Sequence, residues 1–177
     1  MIFATDKNDI KDLARDQLAE WLFSIGEKPY RIDQIYRWIY LHQVDDFDAM
    51  TDLGKRLREC LSERFSIDRL VKEMVETSSD GSMKYLYGLR DGNHIETVLI
   101  PEKDHHTLCI SSQIGCAQGC RFCLTARGGL VRNLTIGEIT AQVRDVARDV
   151  GGSSLPLSNI VFMGMGEPLE NYQNVVG

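Results

Sequence analysis

Apolar side chains recur at helical spacing through the first third of the chain and at alternate positions beyond it. Ile10, Leu13, Ala14, Trp21 and Leu22 mark one helix face, and Gly26 offers that helix a stop. Ile32, Ile35, Tyr36 and Ile39 repeat the i, i+3, i+4, i+7 pattern of a second helix. A third, capped by Thr51, places Leu53, Leu57, Cys60, Leu61 and Phe65 on one stripe. Cys60 is read there as core filler, because a buried free cysteine behaves as a small hydrophobe. From Val71 the pattern changes. Val71 and Val75 alternate with Lys72 and Glu76, and Tyr85-Leu86-Tyr87 follows an Asp80-Gly81 turn. Asp91-Gly92-Asn93 then separates that run from Ile95 to Ile100, a hairpin signal. Glu96 shares a strand face with Val98 and Ile100. Two readings stand: a wet strand end, or a buried carboxyl with a raised pKa, as a proton-transfer group needs.

The last part alternates strand and helix. Thr107 to Ser111 reads as a short strand, Thr135-Ile136-Gly137-Glu138 as a capping box opening a helix to about Val150, and Gly151-Gly152-Ser153-Ser154 as its break. Asn159 to Met163 is a continuously apolar strand, as parallel sheets require. This is the opening of a parallel β/α barrel, whose chemistry sits on loops leaving the C-terminal strand ends. The expected fold class is α/β. A small helical domain covers 1–70, a β-hairpin segment 71–104, and the first part of a truncated (β/α) barrel 105–177. Two β/α units leave an open parallel edge, so a longer enzyme or a partner is expected to complete the sheet.

Composition narrows the class without naming a chemistry. The 177 residues, 43% hydrophobic and 26% charged, are ordinary for a soluble globular chain. No apolar run approaches a membrane span, and Met1 to Lys7 show no signal-peptide pattern. Five cysteines with three clustered make a poor disulfide framework and point to a reducing compartment, the cytoplasm. A net charge of −6 weighs against a nucleic-acid partner. Between Ile110 and Leu134, however, there is no acidic residue, while Arg121, Arg127 and Arg132 are present. They are either a solvated surface or a local phosphate-binding loop.

Candidate chemistry centres on Cys116, Cys120 and Cys123, spaced C-x₃-C-x₂-C. Three thiolates are one short of a closed zinc site or a fully ligated iron–sulfur cluster. A 4Fe-4S cluster held by three leaves one iron open to a substrate, and Gly115 and Gly119 permit the tight backbone that such wrapping needs. A zinc site would recruit Cys109, His105 or His106, but structural zinc usually shows two separated pairs. A redox Cys120-x-x-Cys123 pair leaves Cys116 unexplained, and Gly164-x-Gly166 is a weak dinucleotide match interrupted by Pro168. Cys109 reads either as a buried structural thiol or as a reactive one facing the barrel mouth.

The triplet resembles the signature of the radical S-adenosylmethionine enzymes, and longer stretches resemble one family of them. Arg31 to Tyr40, Glu96 to Pro101, His106 to Cys116, Arg132 to Ile139 and Met163 to Leu169 are together similar to the RlmN/Cfr family, the radical adenine methyltransferases of RNA. The resemblance implies a partial radical S-adenosylmethionine barrel after an RNA-binding helical domain. It implies a 4Fe-4S cluster on Cys116, Cys120 and Cys123, and S-adenosylmethionine against Gly166 and Glu167. It assigns proton transfer to Glu96 and resolution of a covalent enzyme–RNA adduct to Cys109. The implied reaction methylates a second cysteine, adds the derived methylene radical to adenine, and releases the product through a disulfide. RlmN-like members act on adenine C2 in 23S rRNA and tRNA, Cfr-like members on C8. A flavodoxin or ferredoxin is the implied electron donor, and no membrane is involved. The methyl-carrying cysteine has no counterpart here, and Cys60 cannot stand in. The chain alone is therefore expected not to methylate RNA. The reading from a different class is an RNA-binding module with a structural metal site.

Overall fold

The computed structural model describes residues 7–152 and 155–177. The first six residues and Ser153-Ser154, on which the leader and helix-break expectations partly fall, lie outside them. The chain divides into two compact units, meeting at Arg69 and Leu70.

In the first unit, β1 (Asn8–Asp9) leads into a 3-10 turn and α1 (Arg15–Ser24). Then come α2 (Arg31–Tyr36), continued by a wider turn over Arg37–Leu41, α3 (Lys55–Arg64), and β2 (Phe65–Ser66), which pairs in parallel with β1. Ile10, Leu18, Leu22, Ile35, Leu57, Leu61 and Phe65 share its core. The first helix starts later than its apolar spacing predicts. Asp9 accepts from the Lys11 backbone N–H and ion-pairs with the Lys11 ammonium, which also donates to the Asp68 carbonyl at 2.8 Å. That local network caps the start of the 3-10 turn, which ends at Leu13, extended and donating to the Ile10 carbonyl. Gly26 does stop α1: at φ +80° it donates to the Phe23 carbonyl while Glu27 donates to Leu22. Thr51 does not cap α3, which opens after Gly54 without a side-chain cap. Cys60 is half-buried rather than core, because one residue before Leu61 lies about 100° around the helix from the buried stripe.

The second unit is built on a five-stranded sheet. Its strands are β3 (Val71–Thr77), β4 (Met83–Gly88), β5 (His94–Pro101), β6 (His106–Cys109) and, later in the chain, a strand over Leu157–Val161. Between β6 and that last strand come β7 (Gln113–Gly115), α4 (Leu124–Arg127), β8 (Leu130–Asn133) and α5 (Ile136–Asp149), which makes Leu157–Val161 β9. The strands β3 to β6 pair antiparallel in sequence order, and β6 pairs in parallel with β9. Thr135 and Glu138 form the expected capping box at the start of α5. One sheet face, with Tyr85, Tyr87, Ile95, Leu99 and Leu108, packs with Ile139 and Val146 of α5. By strand alternation Glu96, Val98, Thr107 and Cys109 lie on the other face. The strand predicted to reach Ser111 stops at Cys109. The buried Gln142 amide takes over, accepting from the Ser111 N–H at 2.8 Å and donating to its carbonyl at 2.9 Å. No helix among the described residues is long and apolar enough to cross a membrane.

Candidate cofactor and catalytic site

The loop bearing the three cysteines springs from a short antiparallel pair, β7 with β8, that the sequence pattern did not reveal. Gly115 ends β7 at φ +74°, where a Cβ would lie 1.9 Å from the Gly129 carbonyl oxygen. That carbonyl accepts the Cys116 N–H at 3.0 Å. Cys116 is buried at the root of the loop, Cys120 is exposed at its tip, and Cys123 is half-buried before α4. The backbone N–H of Ala126, helped by Thr125, favours the Cys123 thiolate and holds its pKa below the ordinary thiol value. None of the cysteines is in a disulfide.

Three thiols with no fourth ligand in their loop suit an iron–sulfur cluster with one iron left open. Among the described residues no three His, Cys, Asp or Glu side chains are grouped so as to hold a metal ion. A cubane takes one thiolate per iron, and Cys116, Cys120 and Cys123 are free thiols that could supply three. The redox-pair and dinucleotide readings gain nothing here: Gly164-Met165-Gly166 is not followed directly by a long helix but by a 3-10 turn over Pro168–Asn171.

The loop after β9 is laced to the stretch that leads into the cysteines. Gly164 donates to the Ile110 carbonyl at 3.1 Å, and the Met165 carbonyl accepts from Ser112 at 2.8 Å. The Ser111 hydroxyl accepts the Met165 N–H at 2.9 Å and donates to the Glu96 carbonyl at 2.6 Å. The buried Gln113 accepts the Glu167 N–H at 2.8 Å and donates to Asn133 of β8 at 2.7 Å. Gly166, at φ +95°, would place a Cβ 2.5 Å from the Gln113 side chain. The Glu167 carboxylate accepts from the Leu169 N–H at 3.2 Å. Ser111, Gln113 and Gln142 thus hold three chain segments together. Sequence reasoning missed them, because a buried amide is recognised by its partners rather than by its spacing.

Glu96 and Cys109 come together on the open sheet face. Cys109 stands opposite Val98, and Glu96 is the next residue along that face. Burial pushes the Cys109 thiol up, against an opposing backbone hydrogen bond at Met163, so it keeps its proton at neutral pH. Glu96 fits neither sequence reading. It is mid-strand, 47% exposed, and paired with Lys84 at 3.3 Å.

Of the three arginines, Arg132 is committed to carboxylates. It grips Glu138 through two hydrogen bonds of 2.7 and 2.8 Å and Asp91 through one of 2.7 Å. Arg121 and Arg127 are exposed. Partial burial pushes Asp91 up, but the Arg132 and Asn93 donors together outweigh it and hold it at about 2. A carboxylate depressed in the fold stabilises above its unfolded pKa, near 4, and that stability is lost as pH falls towards about 2. Asp91→Asn is therefore expected to cost about 1 kcal/mol at pH 7, discounted for exposure, in urea unfolding. The difference from wild type should shrink between pH 4 and 2; a constant difference would mean that charge is not involved.

Residues 8–67 match the family model described as the ribosomal RNA large subunit methyltransferase N-terminal domain. The dual-specificity RNA methyltransferase RlmN of Desulfosudis oleivorans is 51% identical over 168 residues, 95% of this chain and 45% of that protein. Over that span the chain is similar to the N-terminal half of the RlmN proteins. RlmN of Geobacter sulfurreducens is 52% identical over 168 residues, again 95% of this chain and 45% of the relative. A crystal structure of a radical SAM methyltransferase from Sphaerobacter thermophilus superposes with a TM-score of 0.83 at 43% identity, covering 96% of this chain and 51% of that one. The chain spans about half the length of the RlmN relatives it matches. It is their N-terminal half, and its second unit is a partial radical S-adenosylmethionine barrel.

Proposed function

We propose that this chain is the N-terminal half of a radical S-adenosylmethionine enzyme that methylates adenine C2 in 23S rRNA and tRNA. The observation that carries it is the lacing of the stretch leading into the cysteine loop, residues 110–113, to the Gly166-Glu167-Pro168 loop at the C-terminal ends of the parallel pair β6 and β9, where such barrels keep their chemistry. The relatives' names supply the substrate class.

In this reading Cys116, Cys120 and Cys123 hold a 4Fe-4S cluster. When bound, it supplies the electron that cleaves S-adenosylmethionine to a 5′-deoxyadenosyl radical. Gly166 and Glu167 bind S-adenosylmethionine, and the glycine's bare Cα brings that loop against Gln113. Glu96 removes a proton from the adenine ring. Cys109, protonated until needed, releases the RNA by forming a disulfide with the methyl-carrying cysteine of the other half. The helical unit, with Arg121 and Arg127, contacts RNA. A flavodoxin or ferredoxin delivers electrons in the cytoplasm. Full-length enzyme incubated with 23S rRNA and tRNA should yield 2-methyladenosine by mass spectrometry of the digested nucleosides. Methylation at C8, or none, would overturn the proposal.

A further inference from the structure

On the open sheet face, Lys84 of β4 stands between two carboxylates. Its ammonium is 3.1 Å from Glu76 of β3 and 3.3 Å from Glu96 of β5. The register explains this: Lys84 lies directly opposite Glu76 on one side and Val98 on the other, with Glu96 diagonal to it. All three side chains are about half exposed, so such pairs add little to stability. The arrangement therefore calls for another explanation.

We propose, resting on the function above, that Lys84 is a positioning residue for Glu96, holding its carboxylate aimed across the face shared with Cys109. The second carboxylate matters. When Glu96 takes the proton of the ring C–H bond, the bond's electron pair stays with the adenine, and Glu76 still neutralises the ammonium. No unpaired charge is left on a face that RNA would cover. Both carboxylates also hold the Lys84 ammonium above its ordinary pKa, Glu76 first, so the lysine stays charged throughout.

The test compares Lys84→Met, Lys84→Arg and Glu76→Gln in the full-length, cluster-loaded enzyme. It reads 5′-deoxyadenosine, the covalent enzyme–RNA adduct on denaturing gels, and methyladenosine. Lys84→Met should unfold within about 3 °C of wild type and keep forming 5′-deoxyadenosine. Methyladenosine should fall about tenfold or more, because proton transfer is misaligned, and the adduct should accumulate. Lys84→Arg should recover most of the product, and Glu76→Gln should fall between. Wild-type product from Lys84→Met, loss of 5′-deoxyadenosine together with product, or an arginine variant as slow as the methionine one would each overturn the proposal. If wild type itself makes 5′-deoxyadenosine but no methyladenosine, the function above fails instead.

Discussion

Replacing any one of Cys116, Cys120 or Cys123 by serine should remove nearly all iron from the reconstituted chain. A cluster held by three protein thiolates has no spare ligand, and a serine hydroxyl is not ionised at neutral pH. Iron and sulfide analysis should fall from about four of each per chain to a small fraction. Cys60→Ser and Cys109→Ser should load like wild type, since one sits on the rim of the helical core and the other on the sheet face. Retention of the full cluster in Cys120→Ser would assign the metal elsewhere, Cys120 being the most exposed of the three.

The second large effect is expected at Gly115. An alanine there must hold φ +74° with its Cβ 1.9 Å from the Gly129 carbonyl, so the β7–β8 pair has to shift. Left-handed strain and loss of the Cys116 to Gly129 hydrogen bond together cost about 3 kcal/mol, and the same shift moves the root of the cysteine loop. Gly119→Ala is the control. Its φ is +64°, but nothing lies within 4 Å of the added carbon, so it should cost about 1 kcal/mol. Urea unfolding and iron content of the two variants measure this. Equal effects would show that backbone sign, not the close approach, governs the loop.

Legibility in the sequence varied with the kind of interaction. The helical unit is readable because its core is written in local spacing, Ile32 with Ile35 and Leu57 with Leu61. The capping box of α5 and the Gly26 stop are readable because both act within five residues. Glu96 was placed on the right strand face, but its environment was not, since Lys84 reaches it through a cross-strand diagonal. Arg132 looked free because Asp91 and Glu138 lie outside the acid-free stretch that drew notice to it. The β7–β8 pair escaped because strands of three and four residues with Arg and Asn in them carry no periodic signal. The cysteine triplet was the most legible feature, and the family resemblance gave its loop a chemistry that spacing alone left open.

The most direct measurement is electron paramagnetic resonance of the anaerobically reconstituted, reduced chain with and without S-adenosylmethionine. A 4Fe-4S signal that changes on adding S-adenosylmethionine is the expected result, because an open iron must sense its ligand. Bound zinc, or a cluster signal indifferent to S-adenosylmethionine, would contradict the radical-enzyme assignment.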